Sequence, residues 1–241
     1  MGTSYVRLPP IIAMGFVISI AFGPNAGSAQ TATSNASPRS HGAAHRILVI
    51  GDSTAAGTGA GPESSIAGRL AADFPTARVD NRGVDGARTH DTLGQLLADH
   101  GPRPRMLVIM TGGNDIIQLA PAASIERDFD ALLRVAVKRA DHVVLITSGN
   151  LRNAPRLMWP ANAVLGWRSR VSHDVVSRAV AAYPIIHVSM YRPTEEDPFG
   201  QEPARYYSSD GIHPSAHGYG LWYATFRLAA PIAEWLNDGK Q

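Results

Sequence analysis

The sequence predicts an α/β fold, a three-layer α/β/α sandwich on a five-stranded parallel sheet. Three observations carry this expectation. Short strand-like runs recur at residues 46–50, 77–81, 106–110, 142–147 and 185–188. Stretches with helix-like apolar spacing separate them, at 65–74, 92–100, 125–140 and 163–183, with a closing helix at 214–236. The strongest runs are apolar without interruption, as in Ile47-Leu48-Val49-Ile50. Such runs suit strands covered on both faces by crossover helices.

The chain has 241 residues and no cysteine, enough for one domain of moderate size whose stability comes from its core and not from disulfides. Residues 1–29 read as a secretory signal peptide: Arg7 is the positive start, residues 11–22 are mostly apolar, and Gly27-Ser28-Ala29 offers a cleavage site. The expected location is therefore secreted or periplasmic, or membrane-anchored if the segment is retained, with no stable membrane span after cleavage. Residues 30–44, rich in Ser, Thr, Ala and Gly, read as a flexible linker, which leaves 45–241 as the folded domain. A formal net charge of +2 gives no reason to expect a nucleic-acid partner.

Each element has a local justification. The first strand stops at Gly51-Asp52-Ser53, where Gly51 permits a tight turn and Ser53 sits just past the strand's carboxyl end. The second strand, 77–81, is the weakest of the set, and Asn81-Arg82-Gly83-Val84-Asp85-Gly86 follows it. The third leads into Gly112-Gly113-Asn114-Asp115. Residues 150–170, with Trp159, Pro160, Trp167 and several Arg, are irregular and follow the fourth strand. A long segment, 191–207, precedes Asp210-Gly211-Ile212-His213-Pro214. Pro214 is expected in the first turn of the last helix, and Pro231 should kink or split that helix. Right-handed crossovers then bring the post-strand segments to one rim of the sheet.

The four glycine-bearing segments, in this order, resemble the conserved blocks of the SGNH hydrolases, also called the GDSL esterase/lipase family. The resemblance spans about residues 46–219. It implies a flavodoxin-like sheet and a metal-independent, cofactor-free serine hydrolase acting on an ester, lipid or acetylated sugar. Ser53 would be the nucleophile, and a neutral hydroxyl needs a base. His213 would supply it, with Asp210 on the far ring nitrogen. The backbone N–H groups of Ser53 and Gly86 and the Asn114 side-chain amide would hold the developing oxyanion; Gly83 is the other candidate in the second block. Residues 150–170 would shape the acyl or alcohol pocket, or else pack as an insertion. Residues 191–207 could form a partial lid. The substrate class stays open between carboxylic esters, lysophospholipids or thioesters, and acetylated polysaccharide. A non-catalytic ligand-binding module is the reading from outside enzymes.

Each residue also has a plainer reading. Ser53 could be a turn or cap residue, and Asp210 with His213 an Asx-type turn opening the last helix. Asp52 and Asp115 are expected to hold loops by accepting backbone N–H bonds and not to react. Asp85 and His90 line the cleft or are solvated. His213 and His217 have the i, i+4 spacing of metal ligands, but no third ligand accompanies them. Gly57-Thr58-Gly59-Ala60-Gly61 lacks the Lys of a phosphate-binding loop, and Ala55 breaks the Gly-x-Ser-x-Gly elbow. Thr54 stands where many relatives carry leucine.

Overall fold

The structure, a computed structural model, describes residues 45–237. The signal peptide and linker expected over residues 1–44 lie outside that range. The elements follow one another as β1 (His45–Gly51), α1 (Ser53–Ala56), α2 (Ile66–Asp73), β2 (Ala77–Asn81), α3 (Thr89–Leu97), β3 (Met106–Thr111), α4 (Gly113–Ile117), α5 (Ala122–Arg139), β4 (His142–Thr147), α6 (Ala161–Val180), β5 (Ile186–Ser189), α7 (Pro198–Gln201), α8 (Pro203–Tyr206), α9 (Ala216–Ala229) and α10 (Ile232–Asn237). The five strands pair in parallel in the order β2-β1-β3-β4-β5. The order reverses between β1 and β3, and open α/β sheets bind their ligands at the carboxyl ends of the strands that flank such a reversal. Gly51-Asp52-Ser53 and Gly112-Gly113-Asn114 leave from those two strands.

Alternate side chains of each strand serve opposite layers, as the two-residue period requires. Ile47, Val49, Val108, Met110 and Ile146 pack with Leu70, Tyr219, Trp222 and Phe226, so α2 and α9 cover one face. Leu48, Ile50, Ile109 and Leu145 pack with Leu96, Phe129, Leu133 and Val176, so α3, α5 and α6 cover the other. At the opposite end of the sheet from the loops after the strands, Arg46 is a buried cation. Its Nε donates to Asp80 at 2.7 Å, its two terminal nitrogens donate to Asp99 at 2.8 Å each, and one of them also reaches the Pro102 carbonyl. This tie fastens edge strand β2 to β1, and buried charges persist when paired in this way.

Two local expectations need correction. Helix α3 starts at Thr89, earlier than the apolar spacing suggests, because the Asp91 carboxylate accepts the Arg88 N–H at 2.9 Å and caps the turn. The last helix opens at Ala216 with Ser215 as its cap, the Ser215 Oγ accepting the Gly218 N–H at 3.2 Å. Pro214 lies before it, in an antiparallel bridge to Tyr207. Pro231 does split the helix, separating α9 from α10. Residues 191–207, the segment expected to form a partial lid, pack against the domain. They hold α7 and α8, and Phe199 is buried against Tyr207 and Trp222, with ring centroids 5.0 and 6.0 Å away. Asp197, buried, accepts the Phe199 N–H at 3.1 Å and the Asn153 amide at 2.6 Å. Burial raises that carboxyl above its ordinary value, against those two donors.

Candidate active site

The rim is built from the end of β1. Gly51 has φ +141°, and a β-carbon there would lie 1.8 Å from the Met110 carbonyl oxygen, so this crossing next to β3 admits only glycine. The Gln95 side chain clamps the same peptide from α3, accepting the Gly51 N–H and donating to its carbonyl, both at 2.9 Å. Asp52 then caps α1: its Oδ1 accepts from the Thr54 N–H at 2.8 Å and the Thr54 hydroxyl at 2.6 Å. Burial pushes the Asp52 carboxyl up to about 6, against those two bonds. Thr54 thus exchanges the apolar contact of a leucine for a hydroxyl bonded to the cap. Ser53 opens α1, and its N–H has no acceptor among the described residues.

The fourth segment meets the first. His213 Nε2 lies 2.8 Å from Ser53 Oγ, and His213 Nδ1 lies 2.6 Å from Asp210 Oδ2. Asp210 divides its work. Its Oδ1 accepts the Ser208 hydroxyl at 2.8 Å and the Ile212 and His213 N–H groups at 2.8 and 2.9 Å, so the turn and the ring contact share one carboxylate. Burial pushes this carboxyl up, but the donors from His213, Ile212 and Ser208 outweigh it and hold it at about 2. An ionised Asp210 requires the proton on Nδ1, which leaves Nε2 with the lone pair that faces the serine hydroxyl. The arrangement can withdraw a proton from Ser53 and hold the resulting imidazolium against a carboxylate.

The second and third segments complete the rim. The two glycines of the second differ in what they can offer. Gly83 donates its N–H to Asn81 Oδ1 at 3.0 Å, and a β-carbon there would lie 2.2 Å from the Ala56 nitrogen, so Gly83 presses this loop onto α1. Gly86 has φ +79° and open space where a β-carbon would be; its N–H has no acceptor among the described residues. The Asn114 amide donates to the Ala87 carbonyl at 2.9 Å, beside Gly86, and has a second hydrogen to give. Asp115 accepts the Thr89 N–H and hydroxyl at 3.0 and 2.9 Å, the loop-holding role expected of it, and burial raises its carboxyl. Asp85 accepts the Thr58 hydroxyl at 2.8 Å and His90 lies exposed beside Asp91. Both ring nitrogens of His213 are taken by Ser53 and Asp210, and among the described residues no group of three ligating side chains forms a metal cluster.

Two supports were not evident in the sequence. One is Gln95, whose helix reads as an ordinary amphipathic stretch. The other is the glycine-rich segment 57–61: a β-carbon on Gly59 would lie 2.9 Å from the His213 β-carbon and 2.8 Å from the Pro214 carbonyl oxygen. Its glycines let the His213 loop lie directly on the first loop. Residues 150–170 brace that loop from the other side, through the Arg156 N–H to the Gly211 carbonyl at 3.1 Å. Leu151, Leu157 and Leu165 of this segment are buried, whereas Trp159 and Trp167 face solvent.

A family model for GDSL-like lipases and acylhydrolases matches residues 49–221, from the first loop through the His213 turn into α9. The chain belongs to this family. A GDSL-like esterase of Mycobacterium tuberculosis is 28% identical over 187 residues, which cover 73% of this chain and 58% of that relative. The chain thus spans little more than half of the relative's length. Among solved structures, a lipolytic GDSL-family protein from Veillonella parvula superposes with a TM-score of 0.60 at 17% identity, covering 76% of this chain and 96% of that one. The acetylxylan esterase Axe2 from Geobacillus stearothermophilus gives 0.52 at 19% identity, covering 77% and 93%. These likenesses show the shared α/β fold of GDSL hydrolases.

Proposed function

We propose that the chain is an exported serine esterase that works through an acyl-enzyme on Ser53. The observation that carries this reading is the unbroken chain from Ser53 Oγ to His213 Nε2 at 2.8 Å and from Nδ1 to Asp210 at 2.6 Å. Ser53 Oγ adds to the ester carbonyl while its proton passes to His213 Nε2. The carbonyl oxygen becomes an oxyanion, received by the N–H groups of Ser53 and Gly86 and by the free Asn114 amide hydrogen. The tetrahedral species collapses, the C–O bond to the alcohol breaks, and the leaving oxygen takes the proton from His213. Water then adds to the acyl-enzyme by the same route in reverse and releases the acid. Export rests on residues 1–29.

A deacetylase of acetylated polysaccharide would use the same steps and differ only in the leaving alcohol. The test is a panel of p-nitrophenyl esters, thioesters and acetylated sugars with the full chain and its Ser53→Ala variant. Hydrolysis by the parent that falls to buffer background in Ser53→Ala supports the reading. A parent at background, or a variant as active as the parent, overturns it.

A further inference from the structure

Among the described residues, half of the large exposed apolar side chains gather in one place, while Val84, Leu97, Leu119 and Leu228 lie singly elsewhere. Met158, Trp159, Val164 and Trp167 are 78%, 80%, 37% and 61% exposed, all at the start of α6 and the turn that leads into it. That turn is continuous with the helix, since the Asn162 N–H bonds to the Met158 carbonyl and the Val164 N–H to the Pro160 carbonyl. Val164 and Trp167 are three residues apart on α6 and so share one face of the helix. Exposed apolar side chains gathered in this way mark an interaction surface.

Its charge is of one sign. Between Asp141 and Asp174 the chain carries Arg152, Arg156, Arg168 and Arg170 and no acidic residue. Arg168 stacks over Trp167, 5.7 Å from the ring centroid. Arg152 lays its aliphatic stem on Gly166, next to Trp167, and Arg170 is one turn from Trp167 on the same helix face. Arg152, Arg156 and Arg170 are exposed and form no ion pair among the described residues. Arg170, Asp174 and Glu195 all act on Tyr191, so two acids adjoin the arginines at that end of the patch.

We propose that this face seats the protein on an anionic lipid surface, Trp159 and Trp167 entering the headgroup region while Arg152, Arg156 and Arg170 meet lipid phosphates. Indole rings favour that depth, and unpaired arginines flanking them supply the attraction to a negative leaflet. A glycan is a poorer fit, because Met158 and Val164 cannot answer sugar hydroxyls and no carboxylate stands among the aromatics. A second copy is disfavoured too, since face-to-face contact would bring the two arginine sets together. The Arg156 N–H bond to the Gly211 carbonyl joins this segment to the His213 loop.

Binding is read on the full-length chain in a Ser53→Ala background, which separates it from any question of hydrolysis. The probes are phosphatidylglycerol and phosphatidylcholine vesicles; partitioning is read by co-sedimentation with the vesicles, and brominated acyl chains report tryptophan depth by quenching in the variants that keep Trp159 and Trp167. Every variant keeps residues 1–44, so differences report the patch. The expected result is quenching by phosphatidylglycerol that weakens with added salt. Trp159→Ala/Trp167→Ala and Arg152→Gln/Arg156→Gln/Arg170→Gln should each partition roughly tenfold or more weakly, with unchanged circular dichroism. Partitioning by the variants equal to the parent, or equal affinity for the zwitterionic vesicles, overturns the proposal. So does an emission shift produced by soluble xylo-oligosaccharide without vesicle binding, or a patch-dependent dimer in sedimentation.

Discussion

The β-carbon that Gly59 lacks would sit 2.9 Å from the β-carbon of His213. A glycine in the first loop therefore sets how closely the imidazole loop approaches Ser53. Gly59→Ala should push that loop outward and cost activity out of proportion to stability. A displacement near 1 Å is expected to lower kcat on the order of a hundredfold. Ester hydrolysis and urea denaturation on the same samples check this; activity unchanged in a folded variant removes Gly59 from that role.

Asp210→Asn is expected to separate the two tasks of one carboxylate. The amide can still accept the Ile212 and His213 N–H groups, so the turn survives, but it no longer compels the proton onto Nδ1. Turnover should fall on the order of a thousandfold or more. In the parent, the depressed Asp210 value gives stability that is present above the ordinary carboxylate range and is lost as pH falls toward about 2. Urea midpoints between pH 5 and about 2 should drop less in Asp210→Asn than in the parent.

Asp52 has the opposite sign. Its folded value is raised to about 6 by burial, so its contribution is largest below the unfolded carboxylate value and declines as pH climbs through about 6. Asp52→Asn keeps an oxygen for Thr54 and removes the titration. The parent should lose up to about 3 kcal/mol between pH 4 and 7 from this group, and the variant's stability curve should be flatter over that interval. Denaturation at several pH values reads it directly.

Asn114→Ala deletes the amide that faces the proposed oxyanion site and also frees the Ala87 carbonyl. Loss of one such donor should reduce kcat on the order of a hundredfold or more, with a smaller change in KM. An unaltered kcat would take Asn114 out of the mechanism.

Arg46→Met tests the far end of the sheet. It removes the buried cation shared by Asp80 and Asp99, which keep only Arg78 and Arg82 as cationic partners, at a cost of at most about 3–5 kcal/mol. The surviving folded fraction should hydrolyse esters at the parent's kcat, because Arg46 lies at the other end of β1 from Ser53. Chemical denaturation and active-site titration measure the two effects separately.

The elements legible from sequence are those whose burial is uniform. Strands β1, β3 and β4 are covered on both faces, and their runs are unbroken apolar. Strand β2 lies at the sheet edge, carries Arg78 and Asp80, and was correspondingly faint. Ser53, Asp210 and His213 were legible because each sits in a short block of special residues at a strand end or helix start, and the structure brings all three into one hydrogen-bonded chain. What escaped depended on distant partners. Gln95 looks like any polar helix residue until Gly51 is beside it. Phe199 anchors residues 191–207, yet a single phenylalanine among prolines, acids and tyrosines has no period to betray its burial. Gly83 and Gly86 share one motif, and only their neighbours tell them apart.

The Ser53 hydroxyl and the His213 imidazole are 160 residues apart in the chain. A ribosome that has completed the nucleophile must still synthesise most of the domain before any base exists to activate it. Even then the ring finds its place only when α9 settles and Tyr219 reaches the Thr58 carbonyl, 2.9 Å away. On the proposed mechanism, hydrolytic power is thus the last property the molecule acquires. Nascent or unfolded chains would then be inert toward the cell that makes them.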